Sequence, residues 1–436
     1  MIRGGYGIFY SLQADQNDAE LAYNPTGLFS NQTIQFNANS VPNVFLSTGF
    51  ATPSNPEGSL PPSDITNPSG RASAIPFHNP TPSIQEWNLN VERQLAKDMI
   101  LQVAYVGVHA THLTYLRNLN QATQPLDTNF EVCPTLTDPY CADGLGSNFG
   151  RPYYGSVAQI AAIRTSVNDV SNSSNSLQVR FEKRFSAGWS VLAAYTYQHT
   201  IGITEENETA AGSAEPQNTY NMKAERGNVG PDFRHQFTAA WTYELPFGPG
   251  KRYFNSNGPS RWIAAGWQLN GIVSMYSGQA FTPLLSYDDT NTGSNGARPD
   301  IFQNPYNFAN ATAAGCPSDK QTLQCWYNPF AFGQISASTF VYPALAPGQT
   351  FAHVYGNAGR GILRGPAQYN FDFSIFKDFR LTESMKFELR GEAFNLFNTP
   401  QFGIPSNTVD IPGLSGSISG TVHSSRQLQI AVLFKF

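Results

Sequence analysis

Ionisable side chains are scarce in this chain. Asp, Glu, Lys and Arg make up 13% of its 436 residues, about half the share of an ordinary globular protein. The formal net charge is only −5, so there is no basic footprint and nucleic acid is excluded as an expected partner. Long apolar runs are missing as well. No stretch approaches the roughly 18 apolar residues of a membrane helix, and the mean hydropathy is −0.32. The amino end, Met1–Tyr10, lacks the continuous apolar core and small-residue cleavage site of a signal peptide and already reads as a strand. Cysteine is limited to four residues in two close pairs, without CxxC spacing or a neighbouring histidine, which argues against zinc.

Aromatics, by contrast, reach 13%, and Gly, Asn, Ser and Pro abound, which together read as an all-β chain. The clearest pattern is the carboxy-terminal Arg426–Phe436. Leu428, Ile430, Val432, Phe434 and Phe436 fall on one side of an extended strand, and Gln427, Gln429, Ala431 and Lys435 on the other. A soluble sandwich strand has the same alternation, so one example decides nothing. The pattern recurs about ten times before the aromatic terminus, and this repetition predicts an antiparallel transmembrane β-barrel segment with its polar side inward. The expected strands are Arg3–Tyr10, Ile84–Leu95, Met99–Val108, Ser176–Phe185, Trp189–His199, Phe233–Leu245, Gly266–Phe281, Asn370–Phe379, Met385–Phe397 and Arg426–Phe436.

Connections between these strands alternate in length. Ser11–Thr81, Ala110–Asn175, Ile201–Asp232, Thr282–Tyr369 and Asn398–Ser425 are long and polar, whereas Ala96–Asp98, Ser186–Gly188 and Leu381–Ser384 are tight. Pro246–Ala265 is longer than the other tips. Membrane barrels show this asymmetry, with tight periplasmic turns and extended extracellular loops. Val157–Thr165 has strand character, but a full span there would break the alternation of direction, so it is expected to extend above the membrane. Arg93, Lys183 and Lys377 fall in phase with the apolar face near the short-turn ends of descending strands. A cation at mid-membrane costs about 2–4 kcal/mol, falling towards zero at the interface, so these side chains are expected to snorkel to lipid phosphates.

The cysteine pairs, Cys133 with Cys141 and Cys316 with Cys325, lie in loop-like sequence and are expected to form disulfides in an oxidising compartment. Arg180, Glu182, Arg184, Lys386, Glu388, Arg390 and Glu392 are expected to face the lumen, where neighbouring strands pair them across the wall. No catalytic constellation stands out, and no enzyme, cofactor or metal site is expected. His109–His112 lacks the glutamate of a zinc-protease helix. Glu205–Glu208 lacks calcium-loop spacing. Gly356–Gly361 has the wrong spacing for a dinucleotide fold.

Three segments, Arg3–Tyr10, Phe387–Asn398 and Leu433–Phe436, resemble the barrel end of Oar-like TonB-dependent transporters, outer-membrane proteins of Acidobacteria and related Gram-negative bacteria. The Arg390–Asn398 run, Arg-Gly-Glu-Ala-Phe-Asn-Leu-Phe-Asn, is the most specific part of the likeness. The resemblance implies a barrel of about 22 strands, of which residues 1–436 supply the carboxy-terminal ten or so. It implies that a signal peptide, plug and TonB-contacting box precede Met1 in a longer protein. It also gives Phe434 and Phe436 the part of a barrel-assembly signal. The implied partners are outer-membrane lipid, the barrel-assembly machinery, the TonB complex through the missing plug, and an unknown ligand at the extracellular loops. The rival expectations are a small passive porin, a surface adhesion or structural barrel, and a soluble secreted carbohydrate-active β-protein.

Overall fold

The computed structural model describes residues 1–10, 71–74, 76–122, 152–153, 162–203, 216–229, 232–255, 260–286, 290, 292, 296–336, 339–341, 355–380 and 385–436. Cys133, Cys141, the acidic run Glu205–Glu208 and the Leu381–Ser384 turn lie outside them.

One sheet dominates. In chain order its principal strands are β1 (Ile2–Tyr10), β3 (Ser83–Ala96), β4 (Met99–Asn118), β5 (Ala162–Ser186), β6 (Trp189–Gly202), β8 (His235–Glu244), β9 (Trp267–Tyr276), β14 (Gln368–Arg380), β15 (Lys386–Phe394) and β16 (Gln427–Lys435). They are joined in sequence order, each antiparallel to the next. Short β2 (Arg71–Ala74) and β7 (Gly227–Asn228) pair with β5 and β6. The long connections therefore all leave from one end and the short ones from the other.

Register shows what the alternation is for. Residues opposite one another on paired strands share a face. Val91, Val103, Val179, Tyr195, Phe237, Met275 and Tyr369 form one such row across seven strands. Trp189, Tyr243, Leu269, Ile375, Gly391 and Ile430 form another. No second sheet covers these rows among the described residues: Leu428 is 74% exposed and Ile430 80%. An apolar face of this extent needs a non-aqueous medium. At two of the glycines that interrupt it, an indole fills the gap. A Cβ on Gly107 or Gly271 would meet the indole of Trp87 or Trp241 at 2.2 or 2.6 Å.

Two expectations about strand length need correction. β4 and β5 do not stop near Val108 and Ser176 but run on together, pairing Leu113 with Val170 and Arg117 with Thr165 past irregularities at Ala110–Thr114. His112 takes a φ of +56° within that break. The added part, Ser166–Asn175, is almost wholly polar even where it is buried, with Ser166 5% and Asn168 0% exposed and Asn168 bonded to Asn79 and the Pro80 carbonyl, so no apolar–polar alternation marks it. The described part of Val157–Thr165 is the start of β5, and the alternation of strand direction survives. The expected strand Gly266–Phe281 breaks after Tyr276, and Ala280–Phe281 becomes β10 in a separate pairing. There the chain turns so closely that a Cβ on Gly278 would lie 1.7 Å from the carbonyl oxygen of Gly365.

The rim cations also differ from expectation. Arg93 is exposed, but Lys183 and Lys377 are each only 3% exposed. Lys183 donates to the Ser186 hydroxyl at 2.8 Å and the Trp189 carbonyl at 3.2 Å, and pairs with Asp98 at 3.0 Å. Lys377 donates to the carbonyls of Ala265 and Asp378. Both ammonium groups bind turn backbone, whose carbonyls satisfy them without extending into lipid, and Lys183 ties the β3–β4 turn to the β5–β6 turn.

Replacing this anchor tests it. Lys183→Met should lower stability by about 1–3 kcal/mol by leaving its acceptors unpaired, read as a lower urea midpoint for the folded band on unboiled gels. The Asp98 carboxyl is held below its usual range by the Ser186 hydroxyl first and Lys183 second. Its contribution is therefore present above about pH 4 and is lost as pH falls through the lowered folded value. The acid dependence of the midpoint should flatten in Asp98→Asn.

Candidate functional site

The sheet's polar face is a wall of paired charges. Glu388, 4% exposed on β15, is its best-partnered carboxylate. It meets Lys435 of β16 at 2.8 Å, Lys386 at 3.6 Å and the Arg390 guanidinium, while Lys386 also meets Asp378 of β14 at 2.8 Å. The Arg390 guanidinium lies 4.7 Å from the Phe376 ring centroid. On β5, Arg180 and Arg184 flank Glu182 at 2.9 and 3.7 Å. Those two pairs run along one strand instead of across strands as expected, because residues two apart share a face. Glu392 has no ion pair among the described residues. Sequence reading did not include Asp378 or Lys435 in the cluster, although their phase on the polar side was the available signal. A cavity of about 540 Å³ opens beside it at the short-turn end, lined by Glu244, Lys251, Trp262, Asp378, Lys386 and Glu388 among others.

At the opposite end the long connections fold into a cap with its own core. Phe281, Leu285, Tyr327, Phe332, Leu363 and Val409 pack together, all 9% exposed or less. β10 (Ala280–Phe281) pairs with β13 (Leu363–Arg364), and β11 (Gln334–Ser336) with β12 (Thr339–Val341). The Cys316–Cys325 disulfide closes a second small cluster with Ala311 and Phe308. The β15–β16 connection is bound in through the Tyr327 hydroxyl, which donates to the Ser406 carbonyl at 2.9 Å, and through Asp410, which accepts from the Ser286 amide at 2.9 Å.

Buried polar groups lock the connections of the cap to one another and to the sheet. Arg298 and Glu225, 3% and 2% exposed, pair at 2.6 Å. Asp232, wholly buried, accepts from Arg234 at 3.1 Å and Arg364 at 2.6 Å. Arg360 reaches the Tyr115 hydroxyl of β4 at 3.2 Å and the Ile203 carbonyl beyond β6. Gln121 bridges the Gln217 carbonyl at 2.7 Å and the Thr292 hydroxyl at 3.1 Å. Gly356 and Gly361 serve this packing, their carbonyls accepting from Gln217 and Asn228 at 2.9 Å. His109, on β4, shares a hydrogen bond with the Ser173 hydroxyl at 2.9 Å. Burial pushes the Tyr327 phenol well above its usual range.

A sheet with one exposed apolar face, an opposite face of paired charges and a locked loop cap fit an outer-membrane β-barrel wall. The family model "Outer membrane beta barrel domain" matches residues 1–429, and the chain belongs to that family. No protein of curated function matches it. Solved structures similar to it include the outer-membrane transporter YddB of Escherichia coli, at 11% identity and a TM-score of 0.39, covering 84% of this chain and 34% of that one. The ferripyoverdine receptor of Pseudomonas aeruginosa, bound to ferripyoverdine, is 8% identical with a TM-score of 0.36 over 81% and 27% of the two chains. The ferric yersiniabactin uptake receptor FyuA of Yersinia pestis is 10% identical with a TM-score of 0.35 over 82% and 31%. The chain thus spans about a third or less of the length of these receptors.

The cap's lock has a measurable weight. Glu225→Gln leaves Arg298 as a buried cation without its counter-ion and should cost about 3–5 kcal/mol, seen as rapid cleavage of the surface loops by added protease while the sheet stays heat-modifiable. A neutral Tyr327 phenol means that unfolding the cap is favoured increasingly above about pH 10, where the free phenol ionises. Tyr327→Phe should remove that part of the alkaline loss, measured as protease resistance between pH 8 and 11.

Proposed function

We propose that residues 1–436 are the carboxy-terminal barrel portion of an Oar-like, TonB-dependent receptor or transporter. In this role the chain catalyses no reaction. It walls a translocation path and holds the extracellular loops that capture ligand. The observation that carries this reading is the pair of open edges. β1 and β16 bracket the sheet and, among the described residues, neither pairs with a further strand. In hydrocarbon each unpaired backbone group costs several kcal/mol, so further strands must close the wall. A self-contained porin of about ten strands would instead seal β1 against β16.

A barrel of about 22 strands has a lumen too wide for side chains to fill, and a plug closes it. The paired charges around Glu388 and Glu182 then line the path around that plug, which contacts TonB. Phe434 and Phe436, with rings 6.2 Å apart, supply the aromatic terminus read by the barrel-assembly machinery. The ligand is received by the loop cap.

The reading frame upstream of Met1 is expected to encode a plug, a TonB-contacting box and the remaining strands. A signal peptide abutting residue 1, together with ohmic conductance of the isolated chain in planar bilayers, would make it a porin and refute the proposal. Deleting Phe436 from the full-length protein should reduce the heat-modifiable barrel in outer-membrane fractions several-fold, and unchanged assembly would remove the terminus from this role.

A further inference from the structure

The connection between β8 and β9 is unlike the other turns at its end of the sheet. Lys97–Asp98 and Ala187–Gly188 are two-residue turns of small or charged side chains. The β8–β9 connection occupies residues 245–266 and exposes large apolar groups, with Trp262 at 52% and Ile263 at 76%. Tyr253 and Phe254 are also exposed, and Phe254 holds a φ of +53°, a conformation bulky residues rarely adopt. Their rings lie 6.1 and 5.8 Å from that of Phe247. Apolar groups of this size, gathered on a turn outside the sheet, do not suit water.

The return limb of this connection fixes its place. Trp267 and Lys377 stand opposite each other in the lipid-facing rows. The Trp267 indole donates to the Ile263 carbonyl at 2.7 Å. Lys377 donates to the Ala265 carbonyl. The short helix Ser260–Ala264 is thereby pinned on the lipid side of the strand ends, where the chain leaves the hydrocarbon. The outgoing limb is held on the other side, since Lys251 pairs with Glu244 of the polar face at 2.7 Å.

We infer that this connection is a foot in the periplasmic leaflet, carrying Ile263 into the zone between phospholipid phosphates and acyl chains, while the neighbouring Trp262 lines the cavity beside Glu388. The occupant of the exposed surface is the membrane that already covers the sheet, because Trp267 and Lys377 make the foot continuous with the lipid-facing rows. The indole of Trp267 next to the aliphatic Ile263 suits that depth, with an amphipathic ring at the headgroup level and an apolar group beside it.

Fluorophores on single engineered thiols test this. Ile263→Cys is prepared in the full chain, labelled, and inserted into phosphatidylethanolamine–phosphatidylglycerol vesicles containing lipids with a nitroxide near the headgroup. The label should be quenched by the nitroxide lipid several-fold more, and by aqueous iodide several-fold less, than a label on Lys97→Cys in the β3–β4 turn. Iodide access equal to that at position 97, with no quenching by lipid, would overturn the inference and leave the surface to water or to a periplasmic protein. A label on Ile430→Cys separates the two levels of failure. Lipid quenching at 430 but not at 263 sinks the foot alone, and its absence at 430 as well sinks the membrane setting with it.

Discussion

Hydrocarbon offers no partner to a peptide group, and the rest of this molecule follows from that constraint. Every amide and carbonyl at membrane depth must find its partner on the next strand. Strands must therefore pair edge to edge along their spanning length, as the principal strands from β1 to β16 do along the sheet path, with register shifts among the described pairings only at Gln94–Ala96, Ala110–Thr114 and Lys183–Ser186. Period-2 alternation then sorts side chains between two media. Lipid receives the Val91–Tyr369 row, and the water-filled side receives Arg180, Glu182 and Glu388 with their partners. The low charge content of the chain is the arithmetic of this sorting, since one face of each spanning strand admits almost no charge.

The two ends of the sheet are stabilised by different means. At the turns, single buried ammonium groups such as Lys183 gather backbone carbonyls and a neighbouring carboxylate into a compact knot. At the loops, aqueous burial does the ordering: Tyr327, Phe332 and Leu363 are wholly buried in a core that owes nothing to lipid. The cap behaves as a small soluble domain assembled from separate connections. It needs what small soluble domains need, a disulfide at Cys316–Cys325 and buried ion pairs such as Arg298–Glu225.

What could be read from the sequence follows the same division. The spanning parts of the strands were legible because one side faces lipid and the other water, so each residue type reports its medium. The Arg426–Phe436 run became β16 to within a residue at each end. The outer half of β5 was illegible because Ser166–Asn175 buries polar side chains such as Asn168 on hydrogen bonds and carries no apolar–polar alternation. The cap core was illegible for another reason. Phe281, Tyr327, Leu363 and Val409 are distant in sequence and follow no period, so only the folded chain assembles them. Lys183 was assigned the right depth and the wrong partner, because sequence does not show that the β3–β4 turn lies beside it. The Glu388 cluster was half legible: phase gave the face, and packing gave the partners Asp378 and Lys435.

The β4–β5 ribbon has a consequence for how the loop cap is carried. A strand tilted in an outer membrane needs about 9–11 residues to cross it, whereas β5 has 25. At about 3.3 Å per residue, the surplus raises the hairpin's paired backbone on the order of 30 Å above the phospholipid surface. Tyr115, Leu116 and Val170 on that raised part are 5% exposed or less and the Tyr115 hydroxyl accepts from Arg360, so the ribbon stands as a spine against which the loop cap packs.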